Sequence, residues 1–204
     1  MKPEVRAYCY LDQIQPQFAA LLGTITSGDL VMQGMSSLYI EVAPGNGVFR
    51  LVDVALNAAD VRLGAQIVER EFGVVEFHAY DQSAVRMAGD VILGHLDMSA
   101  SDALTPTITS VERITNVHPY QAQLLNRDRR GSMVVAGDTL LVIECGPATY
   151  INLAANEAEK AANVTIVQAS SVGAYGRLWV TGRESDVEAA QAAAVHALEQ
   201  APKT

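Results

Sequence analysis

The chain has little of several features that would point to a common class of protein. Only two of its 204 residues are cysteine, which is too few for a disulfide framework. Lys and Arg number 14 against 23 Asp and Glu, and a net charge of −9 argues against a nucleic-acid-binding surface. No apolar run approaches the length of a membrane span. We therefore expect neither nucleic acid nor a membrane as a partner.

Aromatic residues are also scarce, at 6%, and Ala, Val and Leu dominate the apolar half of the composition. Such side chains suit close packing of helices on a sheet. The first residues, Met1 to Glu4, lack the apolar core of a signal peptide, so a soluble cytoplasmic protein is expected. The length is sufficient for two ordinary hydrophobic cores.

What the chain does contain is an internal repeat at one fixed offset. Pro16 and Pro119 lie 103 positions apart, and no insertion interrupts this offset from about Pro3 to Ala79. The same offset relates Gly28 to Gly131, Gly34 to Gly137, Glu41 to Glu144, Pro44 to Pro147, Ala58 to Ala161 and Gly73 to Gly176. A repeat unit of about a hundred residues has the size of a domain. The repeat predicts two similar domains in tandem, 1–99 and 100–204.

Each half is predicted to alternate strands with helices. The predicted strands are 5–11, 30–32, 37–42, 61–68 and 74–79 in the first half, and 133–135, 139–145, 164–169 and 178–181 in the second. The predicted helices are 16–22, 48–59, 83–96, one that begins at Pro119, 151–162, and one that begins near Ser185. Residues 97–107, rich in Ser, Thr, Asp and Pro, read as the linker. The pattern predicts an α+β fold with a mixed sheet and helices packed on it.

The second half resembles a known family. Lys160-Ala161-Ala162-Asn163-Val164 is similar to the KAANV element of bacterial microcompartment (BMC) shell domains, and 164–176 resembles their pore-loop hairpin. Residues 57–61 and 66–73 of the first half resemble the same two elements less closely. The order of the elements resembles that of circularly permuted BMC domains, which are variants of the ferredoxin-like fold. Two such domains in one chain resemble the tandem-domain, trimer-forming shell proteins.

The resemblance implies a structural role. It implies a homotrimer whose six domains form a pseudohexagon, beside hexameric and pentameric tiles, in a microcompartment shell. Small metabolites would cross it through a central pore. The Glu-Arg pair in the first loop resembles the carboxysome-associated subgroup, whose two trimers can stack and whose pore opens and closes. The resemblance assigns to the pore Glu69, Arg70, Glu71, Phe72 and Gly73, with Ser170, Ser171, Val172, Gly173, Ala174, Tyr175 and Gly176.

Each of the two loops has a functional interpretation and a simpler structural one. Glu69, Arg70 and Glu71 would form a ring of charge around a three-fold axis, where pairing between protomers would close the hole and separation would open it. Charged residues are equally common at any exposed hairpin. Residues 170–176 suit polar or anionic metabolites through small side chains and backbone N–H groups, or simply form a glycine-containing turn that needs a positive φ.

The resemblance places Lys160 at the rim of the hexagon, where it would pack against its counterpart in a neighbour. A lysine is in any case favourable at the end of a helix, near the negative end of the helix dipole. Asn57 holds the equivalent position in the first half, so the two kinds of edge are expected to differ.

An arginine cluster at 127, 129 and 130 fits either an anion or another tile, or a solvated loop. Cys145 aligns with Val42 and is predicted to be a buried thiol.

We expect no cofactor, metal or catalytic function, because the four histidines show no metal-ligand spacing and no acid–base pair is evident. The histidines are His78, His95, His118 and His196. The alternative hypothesis is a regulatory module that binds a small molecule between tandem ferredoxin-like domains.

Overall fold

Each half of the chain forms one four-stranded sheet with three helices. The computed structural model describes residues 2–201. In the first half the elements are β1 (Glu4–Leu11), α1 (Pro16–Ile25), β2 (Ser36–Ala43), α2 (Val48–Ala58), β3 (Arg62–Glu69), β4 (Phe72–Ala79) and α3 (Gln82–Leu96). In the second they are β5 (Thr107–Ile114), α4 (Pro119–Asp128), β6 (Thr139–Gly146), α5 (Ile151–Ala161), β7 (Thr165–Ser170), β8 (Gly176–Gly182) and α6 (Glu184–Gln200). The predicted α+β class is confirmed.

The sheets are antiparallel throughout, with strand orders β1-β2-β4-β3 and β5-β6-β8-β7. The prediction of a mixed sheet is therefore wrong in this respect. Strands β2 and β3 are joined by helix α2 and run in the same direction, as a strand–helix–strand order suggests. Strand β4 lies between them, however, and pairs antiparallel with both. The two hairpins β3–β4 and β7–β8 thus project from equivalent places in the two sheets.

The predicted strands at 30–32 and 133–135 do not form. Main-chain hydrogen bonds to the sheet are made only just before each segment. Ahead of 30–32, the N–H groups of Gly28 and Asp29 donate to carbonyl groups of β3. In each segment only the central residue, Val31 or Val134, is buried. Each segment is a run of three apolar residues, which predicts a strand, but only the central residue packs into the core and no ladder of hydrogen bonds forms.

The helices form where the apolar period predicts them. Helix α2 buries Val48, Leu51, Val52 and Ala55, which share one face. Helix α5 buries the counterparts of these residues, Ile151, Ala154, Ala155 and Ala158. Helices α1 and α4 each begin with proline, whose fixed φ and missing N–H suit the first turn. The connection 97–106 contains one short helical turn, and the domain boundary between residues 99 and 100 stays a prediction.

Helix α1 packs on both halves of the chain. Its buried residues Phe18, Leu21 and Leu22 belong to a core cluster that also contains Tyr150 and Ile151 of the second half. Burying an apolar side chain of this size stabilises the fold by about 1.5–3 kcal/mol. The contact surface between α1 and the second half is called the internal seam below.

Both cysteines are buried in the same core cluster as α1, and both are free thiols. Burial raises the pKa of Cys9 and of Cys145 to about 12. The prediction of a buried thiol at Cys145 is confirmed.

Polar groups hold the internal seam in one register. The carboxylate of Glu159 accepts hydrogen bonds from the backbone N–H groups of Gln17 and Phe18, both at 2.8 Å. The N–H of Gln15 donates to Asn156 Oδ1 at 3.0 Å, and Asn156 Nδ2 donates to the carbonyl of Gln13 at 3.1 Å. A carboxylate at a helix N-terminus satisfies otherwise unpaired donors and interacts favourably with the helix dipole. Helix α1 is thus capped by the other half of the chain.

Replacing Glu159 by Ala should lower the free energy of unfolding by about 1–3 kcal/mol, because two partly buried N–H groups lose their acceptor. Urea denaturation would measure the loss. The matched control is Glu157→Ala in the same helix, whose carboxylate makes an ion pair with Lys160 at 3.7 Å and should cost less than about 1 kcal/mol. Equal losses in the two variants would contradict the capping role of Glu159.

Candidate functional site

The first-half hairpin is short and highly exposed. Only Arg70 and Glu71 connect β3 to β4, where Glu69 pairs with Phe72. Arg70 adopts the left-handed region at φ 54°, which is uncommon for a residue other than glycine. Its side chain is 92% exposed, and its Nε atom lies 3.7 Å from Glu69 Oε1, whose side chain is 50% exposed. The Glu-Arg pair therefore forms within one chain, and pairing between protomers stays a prediction.

The second-half hairpin is longer and uncharged at its tip. Residues 171–175 connect β7 to β8, and Gly173 takes a positive φ of 94°. The predicted need for a positive φ therefore applies to Gly173 and not to Gly73 or Gly176. The latter two allow close packing: a Cβ on Gly73 would lie 2.2 Å from the carbonyl oxygen of Gly45, and one on Gly176 the same distance from that of Ala148.

The two hairpin tips lie side by side at one edge of the chain. They line a single open depression formed by Glu69 to Phe72, Val172 to Tyr175, and Arg177. A Cβ added to Gly173 would lie 3.9 Å from Glu69 Cγ, so the two tips are close neighbours. The structure therefore brings together eight of the twelve residues predicted for the pore, while Ser170 and Ser171 line a different cleft and Gly73 and Gly176 line neither. The first-half tip in the depression is charged, and the second-half tip is uncharged.

A buried ion pair beneath the first hairpin was not predicted. Arg6 Nε donates to Glu41 Oε1 at 2.8 Å, and the second oxygen of Glu41 accepts from the N–H of Thr149 at 3.1 Å. The guanidinium of Arg6 also lies 3.8 Å from the centre of the Phe72 ring. Glu41 thus links the base of the hairpin to the second half. The sequence does contain a signal for this ion pair, because the repeat has a glutamate at equivalent positions, Glu41 and Glu144, within otherwise apolar strands.

Glu41→Gln should lower the free energy of unfolding by roughly 3 kcal/mol, because it leaves Arg6, whose side chain is only 25% exposed, without a counter-charge. Urea denaturation would measure this loss. The matched control is Glu144→Gln in the second half, where the paired Arg177 is about half exposed and the loss should be smaller. The role of Glu41 would be contradicted if Glu144→Gln cost as much.

A second buried polar cluster distinguishes the first half. His78 Nδ1 lies 3.1 Å from both carboxylate oxygens of Glu76, and Ser37 Oγ donates to Glu76 Oε1 at 2.5 Å. On its other side, His78 Nε2 lies 3.6 Å from Asp29 Oδ1. Burial lowers the pKa of His78, but the hydrogen bond and charge of Glu76, together with Asp29, outweigh this effect and raise the pKa above 6.5.

The cluster borders a cleft of about 270 Å³ between the two halves, which is lined by Tyr39, Glu76, Arg130 and Gln168 among others. In the second half, the repeat places Trp179 where the first half has Glu76. Comparison of the two halves at the fixed offset is the signal that would have found this cluster. Within residues 2–201, no group of three His, Cys, Asp or Glu side chains is arranged to hold a metal ion.

The raised pKa of His78 makes stability depend on pH. His78 binds its proton more tightly in the folded chain than in the unfolded chain. The stabilisation that protonation gives is therefore fully present below pH about 6.5, and it is lost as the pH rises through the pKa of His78 in the folded chain. We expect the free energy of unfolding of the wild type to fall with rising pH in that window relative to His78→Gln. Urea denaturation at several pH values would measure both, and the other three histidines cancel in the difference. Parallel pH profiles would contradict the assignment.

The predicted edge residues lie away from the hairpins and make local contacts. Asn57 Nδ2 donates to the carbonyl of Asp53 at 2.7 Å within α2. Lys160, in the last turn of α5, borders a groove with Tyr10 and Arg86 of the first half. The edge role of Asn57 and Lys160 stays a prediction.

The arginine cluster is tied to its surroundings through the main chain. The carbonyl of Arg130 accepts from the Thr24 hydroxyl at 3.1 Å, and Arg129 Nη1 donates to the carbonyl of Gly131 at 3.1 Å. This region is therefore in part a connection between the halves.

Comparison with known proteins decides the family. Residues 5–102 match the model of the CsoS1D N-terminal domain, and residues 139–203 match that of the BMC domain. The chain is 48% identical to the carboxysome shell protein CcmP of Synechococcus elongatus, over 98% of this chain and 93% of that protein. It is 49% identical to the carboxysome shell protein CsoS1D of Hydrogenovibrio crunogenus, over 97% of each. The chain belongs to the family of bacterial microcompartment shell proteins.

Solved structures of shell proteins agree with this membership. The fused permuted hexameric shell protein MSM0275 of the RMM microcompartment has a TM-score of 0.94 and 42% identity, with 96% of each chain covered. The double ringed trimeric shell protein MSM0271 has a TM-score of 0.92 and 36% identity, covering 97% of this chain and 96% of that one. The predicted pair of permuted BMC domains is confirmed.

These shell proteins are structural proteins, and their similarity supports the shell interpretation over an enzyme or a regulatory module. The chain is accordingly a structural protein of a microcompartment shell. Among the helices within residues 2–201, none is both long and apolar enough to cross a bilayer.

Proposed function

We propose that three copies of this shell protein close into a pseudohexagonal tile with a central pore lined by both hairpins. The observation that supports this most directly is that the two hairpin tips lie close together and line one open depression. Three-fold symmetry around that edge would bring six tips together, alternately charged and small. Electron microscopy of the purified protein should reveal three-fold particles of this kind. A protein that stays monomeric at micromolar concentration would contradict the proposal.

We propose further that Glu69 and Arg70 form the gate of this pore. Both side chains are exposed at the hairpin tip and already lie near each other. An exposed pair of this kind contributes only about 0.2–1 kcal/mol. Three such pairs between protomers would hold the hole closed with a total small enough for modest forces to reverse. The second hairpin, with Gly173 and Ala174, offers backbone N–H groups and no charge, which suits small polar metabolites.

Stacking of two trimers and contact with hexameric and pentameric tiles belong to the same proposal. Support for stacking comes from the likeness to MSM0271, which is described as double ringed. Gating and stacking together would give the shell a channel with two ends that open separately.

Replacing Glu69 and Arg70 together by Ala should leave the trimer intact and hold the pore open, because no side chain remains to bridge the hole. A cryo-EM structure of the variant would measure the pore, with the trimer fraction checked by native mass spectrometry. Arg50→Ala with Asp53→Ala is a matched control, since it removes an exposed charge pair on α2, at 3.1 Å, away from the hairpins. A closed pore in the double Ala variant at Glu69 and Arg70 would exclude this pair as the gate.

A further inference from the structure

The polar cluster around His78 has no polar equivalent in the second half of the chain. In the first half its members are Asp29, Ser37, Gly64, Glu76 and His78. The fixed offset of the repeat places at these positions Ser132, Leu140, Val167, Trp179 and Thr181. Leu140 and Val167 are buried in an apolar cluster, and Trp179 packs against it. The fold therefore does not require charged groups at this place, and the first half has them for another reason.

The carboxylate of Glu76 determines which ring nitrogen of His78 carries a hydrogen. Nδ1 lies 3.1 Å from both oxygens of Glu76, and a carboxylate can only accept, so Nδ1 is the donor. Gly64 on β3 leaves room for this contact, because a Cβ there would clash with Glu76 Oε2. In a neutral ring the other nitrogen, Nε2, is then an acceptor.

The second ring nitrogen of His78 faces another carboxylate. Nε2 is buried and has no hydrogen-bond partner among residues 2–201, and Asp29 Oδ1 lies 3.6 Å away. In the neutral ring two acceptors face each other, whereas in the protonated ring Nε2 presents a charged donor to Asp29. Protonation thus changes this contact from unfavourable to favourable. The raised pKa of His78 agrees with this reasoning.

The other neighbours of His78 leave this contact unchanged. On one side, β2 places Ser37 opposite His78, and the hydroxyl of Ser37 is bound to Glu76. On the other side, β3 places Arg62 opposite His78, but Arg62 is exposed. Tyr39 on β2 remains a neutral phenol, because burial raises its pKa well above the usual range. The charge of His78 is therefore balanced by carboxylates alone.

Asp29 belongs to a segment that forms part of the wall of the cleft between the halves. We call residues 26–29 the cleft segment, since Thr26 and Ser27 line the cleft. The N–H groups of Gly28 and Asp29 donate to carbonyl oxygens of β3, at 3.0 and 2.9 Å. A change in the attraction at the side chain of Asp29 therefore acts directly on this wall.

We propose that His78 is a pH-dependent latch that holds the cleft segment on the first sheet. In its charged form His78 binds Asp29, and the segment stays against β3. In its neutral form the two facing acceptors loosen the segment, and the wall of the cleft becomes mobile. The latch lies within one chain, so it does not depend on the trimeric tile or on the gate.

Amide hydrogen exchange, resolved to single residues, tests the latch with the second half as an internal control. There the N–H groups of Gly131 and Ser132 make the equivalent hydrogen bonds, at 2.8 and 3.0 Å, but Thr181 replaces His78. From pH about 5.5 to pH about 8.5, the protection of the cleft segment should fall at least about tenfold relative to this control. The comparison cancels the pH dependence of the intrinsic exchange rate. An unchanged ratio of protection would overturn the proposal.

Two substitutions distinguish a latch from a purely structural cluster. His78→Gln keeps a polar side chain that cannot take up a proton, so the ratio should no longer change with pH. Asp29→Asn supplies an amide N–H that can donate to the unprotonated Nε2, so the ratio should stay high at pH about 8.5. The side chain of Asp29 is about half exposed, and this variant is therefore expected to fold even if His78→Gln does not. A loss of protection in Asp29→Asn equal to that of the wild type would overturn the role of Asp29.

Discussion

The carboxylate of Glu159 at the N-terminus of α1 is the interaction on which the arrangement of the two halves depends. It supplies acceptors for two N–H groups of a helix that has no side-chain cap of its own. Asn156 fixes the preceding turn from the same face of α5. Since the buried side chains of α1 share a core cluster with residues of its own sheet, these contacts link the two halves through one core.

Glu41 extends this constraint toward the hairpins. One of its oxygens holds Arg6, which lies against Phe72 at the base of the first hairpin, and the other accepts from Thr149 in the second half. A carboxylate buried this deeply is stable only when both oxygens have partners. The charged tip at Glu69 and Arg70 is therefore exposed to solvent at the end of a base that is held by these contacts.

The sequence allowed much of the fold to be predicted. The amphipathic pattern of α2 and α5 and the prolines that begin α1 and α4 are local signals, and the elements they predict are present. The offset of the repeat is read from the sequence directly, and the two halves do form the same elements in the same order. The antiparallel pairing could not be read in the same way, because insertion of β4 between β2 and β3 depends on the whole sheet. The strand predictions at 30–32 and 133–135 were wrong because an apolar run of three residues does not distinguish a strand from a loop that buries one valine.

The same distinction between local and long-range features applies to the candidate site. Both hairpins were located from the sequence, since a turn between two strands is a local feature. The proximity of the two hairpins, the link from Glu41 to Thr149 and the cluster around His78 all involve residues from different strands or different halves. The periodicity of a sequence does not report such long-range arrangements. The informative comparison was between equivalent positions, because Glu76 against Trp179 and Leu56 against Glu159 show where one half departs from the other.

The connection at 97–106 has a consequence for the internal seam. Because it joins the halves covalently, the seam forms at a high effective concentration that does not depend on how much protein is present. Its polar contacts, those of Glu159 and Asn156, can therefore specify register without having to supply affinity between separate molecules. Contacts between separate chains must instead overcome dilution. Fusion of the two domains thus frees the internal seam to specify geometry.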